Sequence, residues 1–204
     1  SSSDKAYGKM TKKSYIESDP LHGDYPYDVS KSAGDLIAQS YSKTYNLKIG
    51  IIRSGNIYGP ADTNMDRLIP GTIVKGLKGK PIQLRTSGKL IRDYLFVDDV
   101  SNAYYKLMLY MNKNKNKKLF VYNLGSKFNF TSLEVIERIY KIINVNLRPV
   151  ILNNSSIEII AQKLNYNKAI KELKWMPITD FKVGILKTIK WYKDNYKEFR
   201  HLKF

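Results

Sequence analysis

Two segments of this chain carry side chains whose types and spacing suit proton chemistry: Ser1-Ser-Ser-Asp-Lys-Ala-Tyr-Gly8 and Tyr25-Pro-Tyr-Asp-Val-Ser-Lys31. In the second, Tyr27 and Lys31 stand one helical turn apart, so on a helix both project from one face. A phenol ionises at a pH of about 10 and is a weak base at neutrality. A close cation favours the phenolate by roughly 1–3 pKa units, each worth about 1.4 kcal/mol. A Tyr–Lys pair can therefore take a hydroxyl proton, which is half of a hydride-transfer reaction. Spacing alone is not diagnostic, because the chain has 16 tyrosines. Tyr110, just ahead of a lysine-rich run at 113–118, meets lysines without any such meaning.

Further motifs follow in order: Arg53-Ser-Gly-Asn-Ile-Tyr-Gly-Pro60, Asp66-Arg-Leu-Ile-Pro70, Ile91-Arg-Asp-Tyr-Leu-Phe-Val-Asp-Asp99 and Tyr122-Asn-Leu-Gly125. Glu172-Leu-Lys-Trp-Met-Pro177 and Gly184-Ile-Leu-Lys-Thr-Ile-Lys-Trp-Tyr192 close the chain. This ordered set resembles the extended short-chain dehydrogenase/reductase family, the NAD-dependent sugar-nucleotide epimerases and dehydratases, over nearly the whole chain. The resemblance implies that Ser3 holds the reacting sugar oxygen, that Tyr27 is the base, and that Lys31 contacts the nicotinamide ribose. Ser54 would approach the nicotinamide. Asn56, Arg67, Arg85 and Arg92 would serve the substrate's nucleotide and diphosphate. For Arg92 that role is chemically apt, since a guanidinium fork matches phosphate oxygens; Arg67 and Arg85 read equally well as surface charge.

Asp4 and Lys5 bear on the reaction. In the family's epimerases the residues after the catalytic Ser are usually small or apolar. In its 4,6-dehydratases an acid follows, paired with Glu or Lys. Ser3-Asp4-Lys5 is most similar to the CDP-glucose 4,6-dehydratase branch. Eliminating water across C5–C6 needs an acid for the C6 hydroxyl and a base for the C5 proton, and Asp4 and Lys5 could supply both. A polar exit from a strand is the plainer reading of the same two residues. A sister epimerase or reductase, and a non-catalytic basic binding module, are the alternative functions.

The family's Gly-x-x-Gly-x-x-Gly loop seats the NAD pyrophosphate at a helix N-terminus and belongs before the catalytic Ser. It is not in this sequence. The expectation is a C-terminal portion of a protein roughly 120 residues longer, the size of a dinucleotide-binding half. Residues 1–60 would complete the NAD-binding domain. Residues 61–204 would form mainly the substrate-binding domain, with about 93–125 returning to the first. One departure stands out. Family members often carry an Asp shortly before the late Lys-Ala step, where this chain has Asn165-Tyr-Asn-Lys-Ala169.

Composition narrows the classes. There is no Cys, so a disulfide scaffold is excluded and secretion gains no support. The apolar runs fall well short of the ~20 residues that span a bilayer, so no membrane role is expected and a cytoplasmic enzyme is. The net charge is +17. Residues 1–100 hold 15 Lys/Arg against 11 Asp/Glu, net +4, and residues 101–204 hold 20 against 7, net +13. The excess lies away from the catalytic motifs, and its lysine-rich run has no interleaved aromatics. It reads as solvated surface rather than a nucleic-acid site. His22 and His201 are isolated, so no metal site is assigned.

Periodicity and breakers supply the elements. A polar loop spans 8–26. Helices are expected at 28–46 (Ala33, Ile37 and Tyr41 in one stripe), 68–77, 100–110, 132–143, 167–173 and 181–196. Strands are expected at 47–53, 81–84, 94–97, 120–124 and 148–152. Strands alternating with helices argue an α/β fold, the C-terminal part of a Rossmann-type doubly wound parallel sheet with a smaller mixed α/β domain. Family resemblance adds a homodimer through the Tyr-x-x-x-Lys helix and its neighbour, and a nucleoside-diphosphate sugar as the substrate.

Overall fold

The computed structural model describes residues 1–9, 13–154 and 163–195. The expected end of the last helix beyond 195, and His201, lie outside them. The chain divides into two compact units, Ser1–Ile57 with Asp93–Lys127 and Ala161–Ile178, and Tyr58–Arg92 with Phe128–Ile160 and Thr179–Phe204.

The first unit is built on a parallel sheet. Strands β1 (Ser2–Ser3), β2 (Ile49–Ser54) and β7 (Leu119–Leu124) lie in the order β1-β2-β7. Ser3 stands opposite Ser54, and Ser54 opposite Leu124. Parallel strands need covered faces, and β2 and β7 read accordingly as apolar runs. Their Ile52, Phe120, Tyr122 and Leu124 pack with Leu95 of β6 (Tyr94–Phe96) and with Val100, Ala103 and Leu107 of α3 (Val97–Lys113). Ala169, Leu173 and Trp175, in and just after a π-helical turn at Ala169–Leu173, close the cluster. The Trp175 indole donates to the Asp99 carbonyl at 2.8 Å, which satisfies the one polar atom of a buried ring. The short strand β3 (Asn56–Tyr58) begins just after β2.

Helix α1 (Pro26–Tyr45) starts on Pro26, whose fixed φ suits the first turn, and stops at Asn46 in the left-handed conformation. Its inner face is polar. Asp28, Ser32, Asp35 and Ser42 are buried, whereas Ile37 and Tyr41 are 58% and 51% exposed. The apolar stripe expected from periodicity is thus the outer face, Ala33 included. Hydrogen bonding, not apolar burial, docks this helix.

In the second unit α2 (Leu68–Leu77) packs on α4 (Ser132–Ile143). Thr131 and Glu134 close a reciprocal capping box at the start of α4: the Glu134 amide donates to Thr131 Oγ1 at 3.2 Å, and the Thr131 amide to Glu134 Oε2 at 2.7 Å. Ile82, Leu84, Ile136 and Tyr140 form the core there, and the Tyr140 hydroxyl accepts from the Ile82 amide at 2.9 Å. Two short pairs complete the unit, β4 (Gln83–Leu84) parallel with β9 (Val150–Ile151), and β5 (Ile91–Arg92) antiparallel with β8 (Phe130–Thr131). Helix α5 (Phe181–Asp194) is capped by Asp180 Oδ1, which accepts from the amides of Lys182 and Val183. No helix of the described residues is long and apolar enough to cross a membrane.

Candidate active site

At the C-terminal end of β1 the chain turns directly into a 3-10 helix, Asp4–Tyr7. Ser3 caps it: its Oγ accepts from the Lys5 amide at 3.3 Å and donates to Asp4 Oδ1 at 2.9 Å. Ser3 and Asp4 are thereby held together beside the end of β2, with Ser54 next to Ser3. Asp4 is 4% exposed, and its Oδ2 has no hydrogen-bond partner. The helix ends at Gly8, whose φ of 67° is left-handed and suits glycine.

Helix α1 packs on this turn. Ser32 Oγ donates to the Ala6 carbonyl at 2.8 Å and also lies against the His22 carbonyl, and the His22 amide donates to Ala6 O at 2.9 Å. Tyr27 and Lys31 lie along one edge of α1, beside the buried stripe of Asp28, Ser32 and Asp35, and Lys31 is half-buried. Tyr27 is 57% exposed, and Lys31 Nζ lies 5.5 Å from its ring centroid.

Under the sheet end lies a network that sequence reasoning missed. Arg53, 2% exposed, donates to Asp35 from Nε (2.8 Å) and Nη2 (2.9 Å), and from Nη1 to the Tyr7 hydroxyl (2.8 Å) and the Glu17 carbonyl (3.1 Å). Tyr7 in turn donates to Asn123 Oδ1 at 2.8 Å and stacks on Tyr15 with ring centroids 4.6 Å apart. Burial pushes the Tyr7 phenol up to about 12, against the pull of Arg53. Burial would also raise Asp35, but the hydrogen bonds and charge of Arg53 outweigh it and hold the carboxyl below its ordinary range. The signal available in the sequence was the helical recurrence of Asp28, Ser32, Asp35 and Ser42, a polar stripe where an apolar one was sought.

Asp93 is a second missed residue. It is 1% exposed; Oδ1 accepts from the Ser126 amide (3.2 Å) and Oδ2 from the Leu164 amide (3.0 Å). Burial pushes its carboxyl up to about 7 against those two bonds. A Cβ on Gly55 would stand 2.6 Å from Asp93 Cβ, so only glycine fits there. Asn56 follows, with its amide on the Asp93 carbonyl at 2.9 Å. Asn165, at the departure noted above, accepts from the Asn167 amide at 2.9 Å and opens the late helical turn.

The three arginines belong to the second unit. Arg67 precedes α2, is 59% exposed in its side chain and pairs with Asp62 at 2.9 Å. Arg85 is exposed after β4, and Arg92 lies in β5 with Nη1 donating to the Ile91 carbonyl at 2.8 Å.

Residues 1–125 match the model of the NAD dependent epimerase/dehydratase family. A dTDP-glucose 4,6-dehydratase of Haemophilus influenzae is 31% identical over 209 residues, covering 95% of this chain and 60% of the relative. Among solved structures, the dTDP-glucose 4,6-dehydratase of Bacillus anthracis in complex with NAD superposes with a TM-score of 0.86 at 30% identity, covering 99% of this chain and 63% of that one. DesIV, a dTDP-glucose 4,6-dehydratase of Streptomyces venezuelae with NAD and TYD bound, gives 0.87 at 27%, covering 99% and 61%. The chain belongs to the NAD-dependent epimerase/dehydratase family, with that family's Rossmann-type α/β fold, and spans about 60% of the length of the curated relatives it matches.

Proposed function

We propose that the whole protein is an NAD-dependent sugar-nucleotide 4,6-dehydratase acting on a nucleoside-diphosphate hexose. What carries the reading is the Ser3-Asp4-Lys5 turn at the end of β1, with a buried acid beside the capping serine and packed on the helix of Tyr27 and Lys31. The first unit is assigned to the NAD-binding domain and the second to the substrate-binding domain. Tyr27, Lys31 and Ser54 are the residues of this chain that would hold NAD. An exposed phenol with a half-buried ammonium 5.5 Å from its ring centroid forms a donor set suited to ribose hydroxyls, so they fit the group.

NAD, when bound, supplies the acceptor and later the donor of a hydride. Ser3 orients the sugar C4 hydroxyl, and Tyr27 takes the C4 hydroxyl proton as C4 loses hydride. The resulting 4-ketone acidifies the C5 proton. Asp4 and Lys5 between them remove that proton and protonate the C6 oxygen, so the C6–O bond breaks and water leaves. Hydride returned to C6 and a proton returned to C5 give the 4-keto-6-deoxy sugar. Asn56, Arg67, Arg85 and Arg92 are assigned to the nucleotide and diphosphate, the guanidinium groups by their fit to phosphate oxygens.

CDP-glucose is the proposed substrate, on the Ser-Asp-Lys sequence; the relatives' names put dTDP-glucose beside it. The full-length protein is to be incubated with NAD and each of CDP-, dTDP-, UDP-glucose and GDP-mannose, and products read by NMR. A 4-keto-6-deoxy product supports the proposal. A C4 epimer with no loss of water replaces it with the epimerase reading. A homodimer through α1, the Tyr-x-x-x-Lys helix, and its neighbour accompanies the proposal, supported by the outer face of α1: Leu36, Ile37 and Tyr41 are each at least half exposed.

A further inference from the structure

Asp93, just before β6, joins three other segments of the first unit. Its Oδ1 accepts from the Ser126 amide at 3.2 Å and its Oδ2 from the Leu164 amide at 3.0 Å, both bonds buried. Its main-chain carbonyl accepts twice from Asn56, from the amide at 2.9 Å and from Nδ2 at 3.4 Å. Both anchors are themselves fixed. Ser126 follows closely on β7. Leu164 packs with Tyr7 and Tyr15, and its neighbours are tied to Tyr15. The Tyr15 amide donates to the Lys163 carbonyl at 3.0 Å, and the Asn165 amide to the Tyr15 carbonyl at 2.8 Å. Gly55 closes on Asp93 from another side: a Cβ there would stand 2.6 Å from Asp93 Cβ and 3.0 Å from the Asp93 carbonyl oxygen.

Asn56, held by this buried residue, is itself exposed. A side-chain amide has two N–H donors and an acceptor oxygen. With one donor on the Asp93 carbonyl, the rotamer of Asn56 is set by the same atom that holds its backbone. Its second donor suits an anionic oxygen of a ligand. We propose that Asp93 is a positioning residue for the substrate's diphosphate: its carbonyl sets the place and rotamer of Asn56, and its carboxylate, tied to Ser126 and Leu164, holds that carbonyl still. That Asn56 meets a nucleoside diphosphate rests on the sugar-nucleotide reading; the hold of Asp93 on Asn56 does not. A role confined to stability would lower the denaturation midpoint and leave nucleotide affinity, measured well below that midpoint, unchanged.

The test uses the full-length protein with Asp93→Asn, Gly55→Ala, Asn56→Ala and the double variant Asp93→Asn/Asn56→Ala. First, hydrogen exchange of the Asn56 amide is followed by peptide mass spectrometry. It should quicken about five- to tenfold in Asp93→Asn, the worth of one hydrogen bond. Second, CDP, dTDP, UDP and GDP are titrated by calorimetry. Asp93→Asn and Gly55→Ala disturb the same carbonyl from different sides, so both should weaken the nucleoside diphosphate that wild type binds, by about 10–100-fold, the range for a hydrogen bond to a charged group. NAD affinity should stay within about twofold, the usual limit for an independent site. The double variant should bind no more weakly than Asn56→Ala, because the two act as one unit. Should Asp93→Asn not fold by circular dichroism, Asp93→Ser and Gly55→Ala are read in its place. Unchanged exchange of the Asn56 amide, unchanged nucleotide affinity in Asp93→Asn, or losses that multiply in the double variant overturn the proposal. A wild type that binds none of the four nucleotides overturns it together with the sugar-nucleotide reading. The expected losses in a protein that yields only a C4 epimer leave Asp93 assigned and remove the dehydratase reading instead.

Discussion

Arg53 grips Asp35 through two parallel hydrogen bonds of 2.8 and 2.9 Å, with side chains 2% and 0% exposed. A buried pair of this kind stabilises only against its own halves. Asp35→Ala strands a buried guanidinium and should cost about 3–5 kcal/mol, read as a lower denaturation midpoint. Replacing both by apolar residues, Asp35→Leu with Arg53→Met, should recover most of that loss. If the double variant is as unstable as the single ones added together, the pair is not the unit that holds α1.

The same pair sets an acid limit. Asp35 is depressed in the folded state, so its contribution is present above the unfolded carboxylate pKa and is lost as pH falls through the folded value. Urea titrations of wild type below about pH 4 should show a decline that the doubly apolar variant lacks.

Asp93 works in the opposite sense. Its carboxyl is raised to about 7 in the folded protein. Its contribution is therefore complete below the unfolded pKa and falls as pH rises toward 7, because only the native state still binds the proton. Stability measured from pH 4 to 8 should decline, and Asp93→Asn should flatten that decline while losing one of the two amide bonds. A wild-type curve with no downward component in this window would refute the assignment.

Catalytic predictions concern the full-length protein. Tyr27→Phe removes the base and should lower NADH formation and product together by about 10²–10⁴-fold. Asp4→Asn should separate the steps, with C4 oxidation retained, bound NADH accumulating and 4-keto-6-deoxy product falling. Absorbance of reduced cofactor and product NMR, followed in parallel, check both. Undiminished product in Asp4→Asn ends the dehydratase reading.

For assembly, light scattering of the full-length protein at micromolar concentration should give twice the chain mass. Ile37→Glu, on the outer face of α1 and touching no catalytic group, should give the single mass. A wild-type monomer counts against the dimer.

Much of the fold was legible because local rules and packing agreed. Helix 132–143 was readable to the residue: Thr131 and Glu134 mark its start, and its apolar residues recur every three to four positions. Helix 68–77 ended as expected before Lys78-Gly79. The two-residue strands β5 and β8 are too short to carry a period. Helix α1 was found by its period, yet its inside and outside were exchanged, because the reading weighed apolar residues and its inner face is carboxylates and hydroxyls. Asp28 and Asp93 escaped for the same reason. Burial of a lone Asp follows from which backbone and side-chain groups converge on it, and those lie up to 71 residues away, as with Leu164 on Asp93.

The polar seating of α1 also bears on how far that helix can slip. Apolar side chains are attracted to any greasy surface, so a helix docked through them can slide or roll by a fraction of a turn at little cost. Hydrogen bonds to single atoms permit no such drift. Ser32 on the Ala6 carbonyl and Asp35 on Arg53 act as index marks along the helix. Slippage by one residue would break both at once. Tyr27 and Lys31 therefore inherit their placement from bonds made by the polar stripe beside them on the same helix.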